Sequence, residues 1–175
     1  PSVHGISSID KEIWTGSGYE TEVLPEEAPT LAKSLQGNGY ETAAFVANRW
    51  ISPRHGFSRG FDVFEHHEET DDLLAAATAW IGGRSEKPFF LYLHLMDAHG
   101  PYEVPHGVFE SMLDSSDLRE GDRLRERDYE RIPPYLKRIP WPRDAQRLSL
   151  RAWRAKYAAA VKVFDRRIRS FLNML

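Results

Sequence analysis

The sequence predicts an α/β fold built around a parallel β-sheet, and two observations lead to this prediction. The first is an apolar run from Phe89 to Leu95, which is typical of a strand buried on both faces inside a parallel sheet. The second is that a helical pattern precedes a buried strand twice along the chain, which is the order found in βαβ units. With 175 residues, the chain has the length of about one domain.

The first helix and strand follow the loop-like, Gly- and Ser-rich residues 1–21. Pro29 suits a first helical turn, and the sequence Gly37-Asn38-Gly39 predicts a left-handed stop. Residues 42–47 then predict a buried strand, which ends at Asn48 and Arg49. The apolar face of the helix is expected to consist of Leu31, Ala32 and Leu35.

The second helix precedes the strand at Phe89–Leu95 and is predicted over Asp71–Ile81. Thr70 is the expected N-cap, and Gly82-Gly83 is the expected terminator. Between the first strand and this helix, residues 51–67 predict a loop. Three aromatic residues are expected to hold that loop against the domain: Phe57, Phe61 and Phe64.

The last seventy residues predict an insertion followed by a long helix. Residues 106–144 are charged and rich in proline, which favours a solvated surface excursion, with a short helix at 120–131, over a lid or specificity loop. Residues 145–175 have the strongest helical period, with lysines and arginines on the predicted solvated face. We therefore expect one partial domain, with its sheet and helices in residues 1–105. The predicted apolar stripe is Leu150, Trp153, Tyr157, Val161, Phe164, Ile168, Leu172 and Leu175.

Composition narrows the possible partners. The net charge of −3 gives no reason to expect a nucleic-acid partner. No apolar run approaches the roughly 18 residues of a membrane span, and no signal peptide is visible. The chain has no cysteine, so it holds no disulfide, thiolate metal site or cysteine nucleophile. The sequence indicates neither the cellular compartment nor the oligomeric state.

The candidate functional residues follow the apolar run, because ligands bind at the carboxyl ends of strands in open α/β sheets. His99 lies beyond the strand end, where its imidazole can donate to an anionic oxygen or protonate a leaving group. Asp97 can orient that imidazole or cap the turn. His94 lies within the strand and is expected to be either a satisfied core histidine or one that supports the site without touching the ligand. A core strand followed by an ordinary turn would explain the same residues.

Other chemical motifs are weak. No glycine-rich phosphate loop and no Ser-His-Asp arrangement is evident. Residues 65–69 contain metal-compatible side chains, but adjacent residues on a loop rarely converge on one ion. We therefore assign no metal ligand within this sequence.

Four stretches, taken in order, resemble the sulfatase family of the alkaline phosphatase superfamily. They are PSVHG at 1–5, TLAKSLQGNGYETAAF at 30–45, GFSRGFDVF at 56–64 and PFFLYLHLMDAHGPY at 88–102. The resemblance implies an αβα sandwich with a largely parallel central sheet. It also implies hydrolysis of small-molecule or glycan sulfate esters by a formylglycine, assisted by a divalent cation that is usually calcium. The histidine near the sulfate in this family corresponds to His99, and we assign Asp97 and Tyr102 of the same motif to substrate binding.

The sequence departs from the family pattern in two ways. The Cys/Ser-x-Pro-x-Arg motif that yields the formylglycine and the aspartates that bind the metal are missing. We therefore expect an internal fragment of a longer enzyme, inactive by itself, with the formylglycine and the calcium ligands outside these residues. Many sulfatases also have Gly-Lys-Trp-His after the first strand, where this chain has Val46-Ala47-Asn48-Arg49. We expect Asn48 or Arg49 to bind the anion instead.

Two alternatives follow from these departures. One is a phosphotransferase, phosphodiesterase or phosphonate hydrolase of the same superfamily. The other is a non-catalytic binding module that kept the sheet without the chemistry.

Overall fold

The computed structural model describes residues 23–100, 102, 104–113 and 150–175, with the side chains of 150–153 excepted. The predictions for the segment at 1–5, the helix at 120–131 and the insertion beyond residue 113 lie outside these residues. The chain is divided into two compact units, Pro1–Met96 and Asp97–Leu175. The predicted organisation as one domain in three parts stays a prediction. The elements are α1 (Leu31–Gly37), β1 (Glu41–Val46), a 3-10 turn (Pro53–His55), β2 (Val63–His66), α2 (Thr70–Gly83), β3 (Phe89–His94), α3 (His106–Glu110) and α4 (Leu150–Leu172).

The first unit contains a three-stranded sheet in the order β2-β1-β3, in which both pairings are parallel. The predicted α/β fold with a parallel sheet is therefore confirmed. The central strand is β1, whose residues 42–46 are all at most 1% exposed. Small side chains at Ala43 and Ala44 suit this position, because a strand with neighbours on both edges and both faces has little room.

The prediction that the Phe89–Leu95 strand is buried on both faces was wrong. In the described part of the sheet, β3 pairs only with β1. Its residues are half-buried, and Tyr92 is 36% exposed. An apolar run indicates apolar surroundings, but it does not indicate how many strands flank the run or where the sheet ends.

The predicted loop at 51–67 contains a strand that the sequence pattern did not reveal. β2 has only four residues, and its second half, Glu65 and His66, is exposed, so no apolar run marks it. Pairing with β1 forms it: Asp62 N donates to Thr42 O at 2.8 Å, and His67 N donates to Val46 O at 3.0 Å.

The aromatic residues of this segment were predicted to hold it against the domain. The Phe61 ring confirms the prediction, since it lies 6.0 Å from Phe64, 5.8 Å from Phe90 and 6.3 Å from Tyr92. Phe57, in contrast, is 42% exposed and does not share this role.

The backbone before β2 is held against α1 and the start of β1. Gly60 has a φ of +86°, and a Cβ at this position would lie 2.1 Å from Lys33 N. Thr42 Oγ1 lies 2.8 Å from Gly60 O. The Asp62 carboxylate accepts from Gln36 Nε2 at 2.6 Å and from Thr42 N at 2.9 Å. These hydrogen bonds, with that from Gln36 the strongest, lower the pKa of Asp62.

Helix α1 ends as predicted, but Pro29 lies before its N-cap rather than in its first turn, and its buried face differs. The Thr30 side chain accepts from Lys33 N at 3.0 Å, and Gly39, with a φ of +84°, lies in the left-handed region after the helix. Leu31 is 63% exposed, so its place in the apolar face was wrong. Ala32, at 3% exposure, is the buried residue of this helix.

Helix α2 has different ends from those predicted. Thr70 is its first residue rather than its N-cap, and Gly82 and Gly83 lie inside its last turn. Leu73 and Ala77 are fully buried, as their shared face predicts. The Trp80 ring contacts Phe89 edge-on at 5.9 Å, which joins α2 to β3.

In the second unit α3 contacts α4, and α4 buries a different face from the predicted one. Its buried residues include Ala159, Ala160 and Phe171, whereas Tyr157 and Val161 of the predicted stripe are exposed. The buried face is thus turned by about one residue, or about 100° around the helix axis. Trp153 of the stripe has no described side chain. None of the helices in the described ranges has the length and apolarity that crossing a bilayer would require.

Candidate functional site

The three parallel strands of the first unit end at one edge of the sheet, and the residues after β1 form a tight turn there. Asn48 Oδ1 accepts from Trp50 N at 2.9 Å, and Ile51 N donates to Asn48 O at 3.0 Å. An Asx turn of this kind fixes the backbone just after the strand. The side-chain oxygen of Asn48 is therefore engaged by the backbone of its own turn, and Arg49 extends from that turn.

Arg49 forms an ion pair with Glu68, which lies just past the end of β2. The side chains of Arg49 and Glu68 are 77% and 62% exposed. The hydrogen bond and the charge of Arg49, with a smaller contribution from His66, lower the pKa of Glu68. Exposed ion pairs are weak, so another anion can replace Glu68 on the guanidinium at small cost.

Glu68 was missed as a partner because the strand before it was missed. Once Val63–His66 is recognised as a strand, parallel pairing brings the residues after it beside those that follow β1. His67 Nε2 also lies 2.9 Å from Glu65 Oε2. Within the described ranges, no three His, Asp or Glu side chains are grouped so as to hold a metal ion.

Asp97 opens the second unit and forms an ion pair with Arg167 of α4. The side chain of Asp97 is 4% exposed and that of Arg167 is 38% exposed. The prediction that Arg167 belongs to a solvated basic face was therefore wrong. A signal existed in the sequence: Arg167 follows Ala160 by seven residues and precedes Phe171 by four, which places it on the face that is buried.

His99 is exposed, and its ring orientation is fixed by its own turn. Nδ1 lies 2.7 Å from Gly100 O. Because a carbonyl oxygen only accepts, Nδ1 carries a hydrogen. Nε2 is then a lone-pair acceptor in the neutral ring and a second donor in the charged ring. The imidazole is thus oriented by the hydrogen bond that its Nδ1 donates to Gly100 O, while the Asp97 carboxylate accepts from Arg167.

Tyr102 packs its ring edge-on against Tyr157 of α4, with the centroids 5.5 Å apart. The residues assigned to the site thus fall into two groups: Asp97, His99 and Tyr102 lie close in sequence in the second unit, and Asn48 and Arg49 are neighbours in the first. Their roles toward a substrate stay predictions.

His94, the last residue of β3, differs from the expectation of a satisfied histidine. Its Nδ1 is buried without a hydrogen-bond partner among the described residues. The ring lies 6.5 Å from Tyr92. Its backbone oxygen accepts from Ala47 N at 2.8 Å, so the strand pairing is satisfied although the side chain is not.

Comparison with known protein families identified the family to which the chain is similar. The family model described as Sulfatase matches residues 3–175. Neither the comparison with curated proteins nor that with solved structures gave a match.

Proposed function

Because this chain belongs to the sulfatase family, we propose that it forms part of a hydrolase that cleaves sulfate esters. The observation that carries the proposal is the family match, which extends over residues 3–175. The proposed substrates are small-molecule or glycan sulfate esters, whose anionic group needs cationic or hydrogen-bond-donating partners.

His99 is the proposed contact to the sulfate or to the leaving-group oxygen. Its Nδ1 hydrogen is held by Gly100 O, so the charged ring directs its other N–H, at Nε2, away from that turn. A donor in this position stabilises negative charge on oxygen, and it can pass its proton to a departing alkoxide.

Arg49 is also proposed to bind an anionic group of the ester, with Asn48 shaping the turn that carries it. Its guanidinium already binds one carboxylate, that of Glu68, in an exposed pair. A sulfate presents oxygens that a guanidinium can bind in the same two-pronged manner. In this proposal Glu68 is exchanged for the substrate.

The nucleophile and the cation are proposed to come from other segments of the protein. The 175 residues contain neither cysteine nor a Cys/Ser-x-Pro-x-Arg motif, and the described ranges offer no metal-binding group. These residues do not fit calcium or a formylglycine, so no catalytic step is derived for either. When bound, a divalent cation would neutralise charge on the ester and orient the nucleophile.

A second candidate is hydrolysis of a phosphate or phosphonate ester. The observation that favours it is Asn48-Arg49 at the place where many sulfatases have the lysine and histidine that contact the sulfate. Arginine binds phosphate as readily as sulfate, so the presence of Asn48-Arg49 is compatible with either group in the substrate.

One assay on the full-length protein separates these possibilities. Turnover of 4-nitrophenyl sulfate is compared with that of 4-nitrophenyl phosphate and a phenylphosphonate ester, and mass spectrometry examines the nucleophile for formylglycine. The proposal predicts preference for the sulfate together with the modified residue. Preference for a phosphorus ester would favour the second candidate, and inactivity on all three with no modified residue would favour a binding module.

A further inference from the structure

We propose that Arg167 and Tyr157 are positioning residues that hold the His99 segment, defined as residues 97–100 and 102, on helix α4. This inference rests on the proposed function of His99. It concerns residues that do not themselves touch the substrate.

The first contact is the ion pair between Asp97 and Arg167. Because the Asp97 side chain is 4% exposed, its charge is nearly removed from water, and the guanidinium of Arg167 compensates it. A desolvated charge pair tolerates little displacement, so it fixes the start of the segment.

The second contact is the edge-on packing of Tyr102 on Tyr157, with ring centroids 5.5 Å apart. Arg167 and Tyr157 are ten residues apart on one helix, which is about 15 Å along its axis. The two contacts lie on either side of His99 in the sequence. One rigid element thus sets the position of both flanks of the imidazole.

The hydrogen bond from Nδ1 to Gly100 O sets only the rotation of the ring within its turn. The position of the turn is set by the two helix contacts. A displacement of about 1 Å at a reacting group can lower a rate by about a hundredfold. Loss of either contact is therefore expected to lower kcat.

The test uses two matched pairs of variants in the full-length protein, assayed at a temperature where all are folded. Arg167→Met is compared with Arg169→Met, because Arg169 pairs with Asp165 in an exposed ion pair on the same helix. Tyr157→Ala is compared with Tyr157→Phe, which keeps the ring. We expect Arg167→Met and Tyr157→Ala to lower kcat at least tenfold with KM within threefold, the two controls to stay within twofold, and Arg167→Lys to restore part of the rate.

Hydrogen–deuterium exchange of the peptide that contains His99 supplies a readout independent of activity. We expect faster exchange in Arg167→Met and unchanged exchange in Arg169→Met. If the wild-type protein hydrolyses no ester, the proposed function fails, but this comparison still tests the contact between Asp97 and Arg167. Unchanged exchange in Arg167→Met would overturn the inference, and so would faster exchange with an unchanged kcat in an active enzyme.

Discussion

Asp97 and Arg167, 70 positions apart in the sequence, form an ion pair in which the aspartate side chain is 4% exposed. Removing one partner of a buried pair costs about 3–5 kcal/mol, and the 38% exposure of Arg167 reduces that figure here. We expect Arg167→Met to lower the free energy of unfolding by about 2 kcal/mol, measured by urea denaturation. Arg169→Met should change it by less than about 1 kcal/mol, because its pair is exposed. Equal effects of the two variants would contradict this assignment.

The proposed role of His99 predicts a loss of rate without a loss of stability. His99→Ala in the full-length protein should lower kcat/KM on an aryl sulfate by about 10²–10⁴, the usual contribution of a positioned acid or base. Because the side chain is exposed, the melting temperature should stay the same. His106→Ala is the control, since that exposed histidine pairs only locally, 3.3 Å from Glu110. A rate within twofold of wild type in His99→Ala would remove His99 from the site.

The exposed pair of Arg49 and Glu68 predicts opposite changes in KM. Arg49→Ala should raise KM for the ester by about tenfold or more, because it removes a charge-assisted hydrogen bond. Glu68→Gln should lower KM by up to about fivefold, because the competing carboxylate is gone and such pairs are worth up to about 1 kcal/mol. Steady-state kinetics on both variants measures this. Parallel changes in the two variants would be inconsistent with competition for Arg49.

Gly60 is expected to tolerate no side chain. Gly60→Ala should destabilise the protein by about 3 kcal/mol or more, because a Cβ would lie 2.1 Å from Lys33 N and φ is +86°. Gly39→Ala, with a similar φ of +84° but open space, should cost only about 1 kcal/mol. Gly82→Ala, in the last turn of α2, should be neutral or stabilising by up to about 1 kcal/mol. Chemical denaturation of the three variants gives the order, and a Gly60→Ala cost no greater than that of Gly39→Ala would refute the close contact.

The lowered pKa of Asp62 predicts a specific acid sensitivity. Because the pKa in the folded state lies below the ordinary value of 3.8, the unfolded state binds a proton first as the pH falls. The contribution of Asp62 is complete above that value and is lost as the pH falls below it toward the folded-state pKa. Urea denaturation at pH 7 and near pH 3 should therefore show a smaller acid loss in Asp62→Asn than in wild type. Gln36→Leu should show part of this reduction, and an unchanged acid loss in both variants would contradict the assigned cause.

The pattern of apolar runs, helix stops and alternating helices and strands was enough to predict β1, α1, α2 and the parallel pairing of the sheet. This pattern failed to predict a strand that is formed by backbone pairing rather than marked by its side chains. Strand β2 has two exposed residues among four, and only its hydrogen bonds to the β1 backbone identify it. The apolar run also predicted that the strand at Phe89 is buried on both faces, whereas the described strand is half-buried.

For the candidate site, the sequence indicated where candidate residues lie along the chain, but it did not indicate which side chains they pair with. His99 and Asp97 were assigned because they follow a strand, and Asn48 and Arg49 because they stand where many sulfatases have the residues that contact the sulfate. Arg167 and Glu68 were missed, since each partner lies far away in sequence or after an unrecognised strand. The stripe of α4 was misplaced because alanines such as Ala159 and Ala160 fill the buried face, while larger apolar residues such as Tyr157 remain exposed.

The central position of β1 also has a consequence for local opening of the fold. Among the described strands it alone has a hydrogen-bonded neighbour on each edge, and residues 42–46 are at most 1% exposed. Amides in such a strand exchange with solvent only through the largest openings of the structure. Asn48 and Arg49 follow this strand closely in the sequence. Their backbone is therefore anchored to the part of the described sheet that is expected to open last. An anion bound there would be held next to the strand that, among the described strands, is expected to exchange most slowly.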